Sequence, residues 1–315
     1  MSSSLLPARR RLVAATLAAT ALAVTLSGCG SGSGSGSGPA MPGMSGMASS
    51  AMPSANSSAS ASSMPSMPSM SGMGAMASGD GLAAAGSGYT LTSSTTTLPA
   101  AKASGYRFTI TGPDGKPVTD FAVDQTKRLH FYAIRSDLTG FQHVHPTMAA
   151  DGTWTAPLAA LTSGTWRLFA TFSPNTGSGK GSDFVLSRTV TVPGMAMDSA
   201  LPAASASTTV DGYTVTLSGE LMAGMAHPLT VTITKGGKPV ADLQPYLGTY
   251  AHLTAFHAGD SAFAHLHPTT AMGGDRGGPS LAFQAELAKA GGWRLFLQFQ
   301  TAGTLHTAAI TVHVS

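Results

Sequence analysis

The residues best suited to chemistry in this 315-residue sequence are histidines, which recur in two nearly identical stretches. "FQHVHP" covers residues 141–146 and "FAHLHP" covers residues 263–268, so each stretch places two histidines one residue apart and just before a proline. The chain contains only ten histidines, and the two stretches lie 122 positions apart. Because imidazole is the commonest metal ligand among side chains, these pairs are candidate ligands.

A third histidine precedes each pair on what we predict to be the partner strand of a β-hairpin. In the second stretch, a turn near Gly259 sets His252 opposite His267 and Thr254 opposite His265. Residues two apart along a strand point to the same face of the sheet, and directly opposed residues share that face. His252, His265 and His267 should therefore project together from one side of the hairpin.

The first stretch gives the same arrangement. Its hairpin sets His130 opposite His145 and Tyr132 opposite His143. His130, His143 and His145 should therefore also share one face.

Two interpretations of these histidine sets remain open. Three neutral imidazoles can coordinate a divalent ion such as Cu(II) or Zn(II), and burial without partners would be costly for them. Alternatively, they are polar residues of a sheet surface, preserved by duplication. We favour the second set and treat the first as a weaker or vestigial copy. Further candidate ligands occur in the second half without first-half counterparts: His257, His306, His313, Met222, Met225 and His227.

The second half of the chain repeats the first. "DGKPVTDF" at 114–121 corresponds to "GGKPVADL" at 236–243, and "TWRLFATF" at 165–172 corresponds to "GWRLFLQF" at 292–299. A Pro/Ala/Ser-rich segment lies between the copies. We predict domains at 87–193 and 208–315 with a linker at 194–207, since each is near the usual size of an independent core.

Both copies read as strands almost throughout. Short segments such as "YTVTLSGE" and "TAAITVHV" alternate apolar and polar residues, and Gly, Pro and Asp turns separate them. About seven short strands per copy indicate an all-β fold of two tandem antiparallel β-sandwich domains of immunoglobulin-like type. A cupredoxin-like sandwich is the alternative.

The first thirty residues are typical of an exported protein. Arg9–Arg11 precede an apolar run from Leu12 to Leu26, and Leu26-Ser27-Gly28-Cys29 resembles the lipobox of bacterial lipoproteins. We predict a signal peptide at 1–28 and a lipid on Cys29 that anchors the chain to the extracytoplasmic face of the cell membrane. A plain signal peptide with a chance cysteine is the alternative, and the Sec and twin-arginine routes remain open.

Residues 29–86 are predicted to be a disordered tether, because Gly, Ser, Ala, Pro and Met cannot bury enough apolar surface to fold. Eight of its methionines recur every third residue in two runs, a period that aligns thioethers along one side of a polyproline II helix. Thioether sulfur selects soft ions such as Cu(I), whereas expansion of a low-complexity triplet would explain the same period. The candidate ligands are Met41, Met44, Met47, Met64, Met67, Met70, Met73 and Met76.

Composition argues against several classes of protein. Cys29 is the only cysteine, so a lipidated chain has no thiol for a disulfide, a thiolate metal site or a nucleophile. The net charge of +3 includes Arg9–Arg11, so the mature chain is near neutral and shows no basic patch for nucleic acid. There is no Gly-rich phosphate loop and few acidic residues. We therefore do not expect an enzyme.

The second copy resembles one group of proteins. "PYLGTYAHL" at 245–253, followed by "FAHLHP", is similar to a pattern in secreted proteins and lipoproteins of actinobacteria, some of them described as metal-associated. The first copy departs from it, with "FAVDQTKRL" in place of the Tyr-Leu-Gly segment. The resemblance implies a small envelope β-sandwich and only loosely a metal, and it implies no reaction.

Together these features predict an envelope-anchored lipoprotein that binds a transition metal, copper before zinc, through its tether and its histidine sets. Its partners would be the membrane, the ion and an envelope protein that the sequence does not identify. The alternative is a non-catalytic interaction or structural module at the cell surface, without metal.

Overall fold

The computed structural model describes residues 79–266 and 268–315. The predicted signal peptide, Cys29, the tether methionines from Met41 to Met76 and His267 lie outside this part of the chain. The described residues form strands, turns and irregular segments, without a helix. Accordingly, no described helix has the length and apolar character needed to cross a membrane.

The first domain is a sandwich of two antiparallel sheets. The strands are β1 (Ala85–Gly86), β2 (Tyr89–Thr92), β3 (Ser104–Thr111), β4 (His130–Arg135), β5 (Gln142–Val144), β6 (Thr147–Met148), β7 (Thr153–Leu158), β8 (Gly164–Phe172) and β9 (Phe184–Val192). The outer sheet has the order β1-β2-β3-β7-β6, and the inner sheet, which faces the other domain, has the order β5-β4-β8-β9.

The second domain repeats this plan. The strands are β10 (Ser207–Val210), β11 (Tyr213–Ser218), β12 (Ala226–Lys235), β13 (Lys238–Pro239), β14 (Ala251–His257), β15 (Phe263–Leu266), β16 (Ser280–Glu286), β17 (Gly291–Thr301) and β18 (Thr304–Val314). The outer sheet has the order β10-β11-β12-β13, with β16 also paired to β12, and the inner sheet has the order β15-β14-β17-β18. The predicted pair of immunoglobulin-like β-sandwiches is confirmed.

The central strands of the inner sheets, β4 and β14, are buried on both faces. On β4, Phe131 and Ala133 belong to the core of the first domain, whereas Tyr132 and Ile134 belong to a separate apolar cluster. This junction cluster combines side chains from both domains, so the two inner sheets pack against each other through it. Its buried members are Tyr132, Ile134, Leu138, Phe169, Val185, Phe256, Phe263 and Phe296.

The segment between the domains is held against the first domain. Arg135 donates hydrogen bonds to the Met197 carbonyl oxygen at 2.6 Å and to the Asp198 carboxylate at 2.8 Å. The backbone N–H of Ser199 donates to Asp137 at 2.9 Å, and Leu201 packs on the junction cluster. These contacts limit the relative movement that a linker of this composition would otherwise allow.

The folded part also begins earlier than the predicted boundary at residue 87. Asp80 accepts a hydrogen bond from the backbone N–H of Phe263 through its carbonyl oxygen, at 2.8 Å, and its carboxylate pairs with Lys289 at 3.1 Å. Leu82 packs against the core of the second domain. The last residues assigned to the tether thus contact the second domain before the chain enters the first.

Candidate functional site

Three histidines of the first domain converge at one end of its inner sheet. His130 begins β4, His143 lies in β5, and His145 follows that strand. One nitrogen from each ring lies within 4.8 Å of the others. The ring centroids are 5.3 Å apart for His130 and His143, 5.1 Å for His130 and His145, and 4.8 Å for His143 and His145. Imidazoles on one tetrahedral ion, at metal–nitrogen distances of about 2 Å, have centroids about 5 Å apart.

The hairpin predicted from the sequence produces this arrangement. β4 pairs with β5 so that Tyr132 lies opposite His143, as expected. The turn between them ends at Gly140, whose φ is +70° and where a Cβ atom would collide with the Trp166 ring. Glycine is needed there, because other residues rarely adopt this conformation.

Two histidines of the second domain join the first three. β14 and β15 pair with Thr254 opposite His265 and Phe256 opposite Phe263, which confirms the predicted register. The His265 ring centroid lies 5.9 Å from that of His130, and the His252 centroid lies 5.9 Å from that of His143. The candidate ligands that we assigned to two separate sites therefore form one cluster where the domains meet. We call the five described rings, His130, His143, His145, His252 and His265, the histidine cluster.

Equivalent backbone carbonyls orient one histidine in each domain. The Nε2 atom of His130 lies 3.2 Å from the Asp124 carbonyl oxygen, and that of His252 lies 3.0 Å from the Tyr246 carbonyl oxygen. Because a carbonyl oxygen only accepts, each Nε2 carries the hydrogen and each neutral ring keeps its lone pair on Nδ1. Metal-ligating histidines are commonly held by such a bond from the other nitrogen.

The second domain also orients a first-domain ring. The Nδ1 atom of His143 lies 2.7 Å from Oε1 of Gln298, so Nδ1–H donates to that amide oxygen. The lone pair of His143 is then on Nε2, 3.1 Å from Nδ1 of His130, which also carries a lone pair. Two lone pairs facing each other at this distance are stabilised by a cation between them.

Burial disfavours a proton in that position. It lowers the pKa of His143 well below the usual range, and the neighbouring imidazoles, His130 first, add to this against the opposing hydrogen bond to Gln298. Burial, followed by His130 and Lys127, lowers the pKa of His145 to about 4. Both rings are neutral at pH 7, which is the state that metal coordination requires.

Nε2 of His145 lies at the histidine cluster without a hydrogen-bond partner in the described part of the chain. This nitrogen is buried. Buried polar atoms are nearly always paired, so such an atom calls for an explanation. A coordinated ion would supply one.

Tyr132 closes one side of the cluster. Its ring stacks on His143 at a centroid distance of 4.4 Å, and its hydroxyl lies 3.3 Å from Nε2 and 3.4 Å from Nδ1 of His265. Burial raises the pKa of Tyr132 well above its usual value, so the phenol stays neutral. It separates the histidine cluster from the apolar junction cluster.

The additional candidates from the second half lie elsewhere. His257 contacts Asp260 and the Ala290 carbonyl oxygen, and His306 contacts Asp211 and Thr301. His227 is on β12 of the outer sheet, and His313, Met222 and Met225 are exposed. The ligands that favoured the second set over the first are therefore not part of the histidine cluster.

Sequence reasoning missed Asp124, Tyr246 and Gln298. Asp124 and Tyr246 each lie six residues before a predicted ligand, at equivalent positions of the repeat. That recurrence was a usable signal, although the residue types differ because only the backbone acts. Gln298 gave no signal, since it lies 155 residues from the ring that it contacts.

Comparison with known proteins identifies the domain family. Residues 83–190 and 208–315 each match the family described as Domain of unknown function (DUF8832). The two matches cover more than half of the chain, which therefore belongs to this family. A comparison with curated proteins gives no match.

Solved structures show only distant likeness. The chain is similar to the Escherichia coli adhesin FdeC (14% identity, TM-score 0.23, 76% of this chain and 66% of that chain) and to InvD of Yersinia pseudotuberculosis (15%, 0.23, 72% and 57%). It is also similar to the Ig1-2 module of the Drosophila receptor tyrosine phosphatase DLAR (7%, 0.20, 72% and 98%). This chain thus spans less than two thirds of the two bacterial chains, and TM-scores this low carry no argument about function.

Proposed function

We propose that this chain is a non-catalytic, lipid-anchored module of the cell envelope whose histidine cluster binds a divalent transition-metal ion. The observation that carries the proposal is the convergence of His130, His143 and His145, with nitrogens within 4.8 Å of one another. The carbonyl-bonded Nε2 of His130 and the buried Nε2 of His145 support it. The lipid on Cys29 and the extracytoplasmic location come from the sequence pattern alone.

The ligand set favours borderline ions. Neutral imidazole suits Cu(II) and Zn(II), and affinity for a given nitrogen site is highest for Cu(II) among first-row divalent metals. Hard ions such as Mg²⁺ and Ca²⁺ need oxygen ligands, which the five rings do not provide. We therefore expect Cu(II) to bind more tightly than Zn(II).

Added Cu(II) or Zn(II) should raise the thermal unfolding temperature of the full chain, because an ion that binds only the folded state stabilises it by mass action. At 100 times the dissociation constant, the gain is about 2.7 kcal/mol. The measurement is calorimetry with and without each ion, with EDTA as the metal-free reference. His143→Ala/His145→Ala should abolish the shift.

The matched control is His313→Ala, which removes an exposed imidazole of the second domain. This variant should keep the full metal response. An unmodified chain whose unfolding does not respond to either ion would disprove the metal site.

A second candidate function is a metal-free interaction or structural module, the reading closest to the observed tandem immunoglobulin-like fold. One observation favours it. If the Gln298 amide turned by 180°, its Nε2–H would donate to Nδ1 of His143. Nε2–H of His143 would then donate to Nδ1 of His130, whose Nε2–H already donates to the Asp124 carbonyl oxygen. That chain of hydrogen bonds is satisfied without a cation, and it predicts no metal response in the calorimetry above.

The tether belongs to the proposal as a Cu(I) ligand that raises the local concentration of copper near the domains. Deleting residues 41–76 should lower the number of Cu(I) ions bound per chain and leave the affinity of the histidine cluster for Cu(II) unchanged. Titration with a Cu(I) chelator measures the first quantity. Unchanged Cu(I) binding after the deletion would exclude the tether.

A further inference from the structure

The position of the histidine cluster between the domains has a consequence for how an ion would act. This inference rests on the proposed function. We propose that a histidine of the second domain completes the coordination, so that the bound ion joins the two domains instead of binding to the first domain alone. We call an ion held in this way the clasp.

The first support is the position of the second-domain rings. The His265 and His252 centroids lie 5.9 Å from those of His130 and His143 respectively, against 4.8–5.3 Å within the first-domain trio. Imidazoles sharing one tetrahedral ion have centroids about 5 Å apart. The His252 centroid also lies 6.4 Å from that of His130. An approach of the inner sheets by about 1–1.5 Å, or rotation of the rings, would bring His252 near this spacing from His130 and His143.

The second support is the tautomer of the neutral His252 ring. Its Nε2–H donates to the Tyr246 carbonyl oxygen, which leaves the lone pair on Nδ1. His130 is held by the equivalent carbonyl of Asp124. The same orienting device therefore exists on both sides of the junction, and His252 is fully buried within it.

The third support is that the second domain already sets the state of a first-domain ligand. Gln298 lies opposite His252 on β17 and accepts from Nδ1–H of His143. Its amide oxygen directs the His143 lone pair toward the centre of the cluster. Separation of the domains would remove this contact, so the trio depends on domain contact even before a second-domain ring coordinates.

The clasp predicts that substitutions outside the first-domain trio weaken binding. In the full chain, His265→Ala and His252→Ala should each raise the dissociation constant for Cu(II) by about 10-fold or more, because lost outer ligands alone cost 10- to 100-fold. X-ray absorption of the Cu(II) complex should show at least four imidazole ligands in the unmodified chain. Whichever of His265→Ala and His252→Ala removes a coordinating ring should show one imidazole fewer. His313→Ala is the matched control.

Phe296→Ala gives a further test, because it leaves every candidate ligand in place. Phe296 stacks on Phe141 across the junction at a centroid distance of 4.4 Å. The clasp predicts weaker Cu(II) binding in this variant, since looser domains present the second-domain rings less well. Dissociation constants within twofold of the unmodified value for all three variants would overturn the clasp and leave the first-domain site standing. No Cu(II) binding by the unmodified chain would instead reject the proposed function itself.

Discussion

Replacing Phe256 with alanine should lower the free energy of unfolding by about 3–5 kcal/mol, the usual cost of removing a buried phenylalanine. Its ring is fully buried and lies 5.5–6.0 Å from four other aromatic rings, two of which belong to the first domain. The substitution therefore empties the centre of the junction cluster. We expect the single unfolding transition of the unmodified chain to separate into two, measured by calorimetry.

Phe283→Ala is the matched control for this prediction. Phe283 is equally buried but lies in the core of the second domain, on the outer sheet. It should cost a similar free energy without uncoupling the domains. If both variants unfold in the same number of transitions, the junction cluster does not couple the domains. If the clasp is correct, Cu(II) should restore a single transition in the Phe256 variant.

Acidification should destabilise the metal-free protein between pH 6.5 and about 4. His143 and His145 have lowered pKa values in the folded state, that of His145 about 4, against about 6.5 when unfolded. In this window the unfolded chain binds more protons than the folded one, so stability falls as the pH falls. Above pH 6.5 their contribution is fully present.

His145 contributes to this loss, although solvent screening reduces the share of a ring that is only partly buried. The measurement is urea denaturation in EDTA from pH 4 to pH 8. His145→Gln, a neutral replacement that cannot titrate, should flatten the profile in this window. A profile that is identical in the variant would show that His145 titrates normally in the folded protein.

The hairpins that carry the histidines were predictable because each has its own internal match. Leu253 faces Leu266, and Ala255 faces Ala264, so a one-residue shift would have mixed apolar and polar faces. The spacing of the histidines then fixed their common face. The register of each hairpin and the common face of its histidines are local properties, so they can be read from the sequence of the hairpin itself.

The meeting of the two histidine sets was not predictable from the same pattern. The meeting depends on those faces of β4 and β14 that point away from the core of their own domain. The run "HFYAI" in β4 was a partial signal, because a strand buried on both faces reads as continuously apolar. The sequence did not show that the other domain packs against this second face. Contacts such as that of His143 with Gln298 depend on this packing.

Two ring pairs across the junction, His130 with His265 and His143 with His252, are each 5.9 Å apart. In the repeat His130 corresponds to His252 and His143 to His265, so exchanging the two domains converts one pair into the other. Self-complementary contact of this kind is the mark of a two-fold dimer. The chain is thus equivalent to a homodimer joined end to end, with an approximate symmetry axis through the histidines. Covalent fusion frees each half to change separately. Tyr132 can stack on His143 while its counterpart remains a small Thr254, an asymmetry that two identical subunits could not encode.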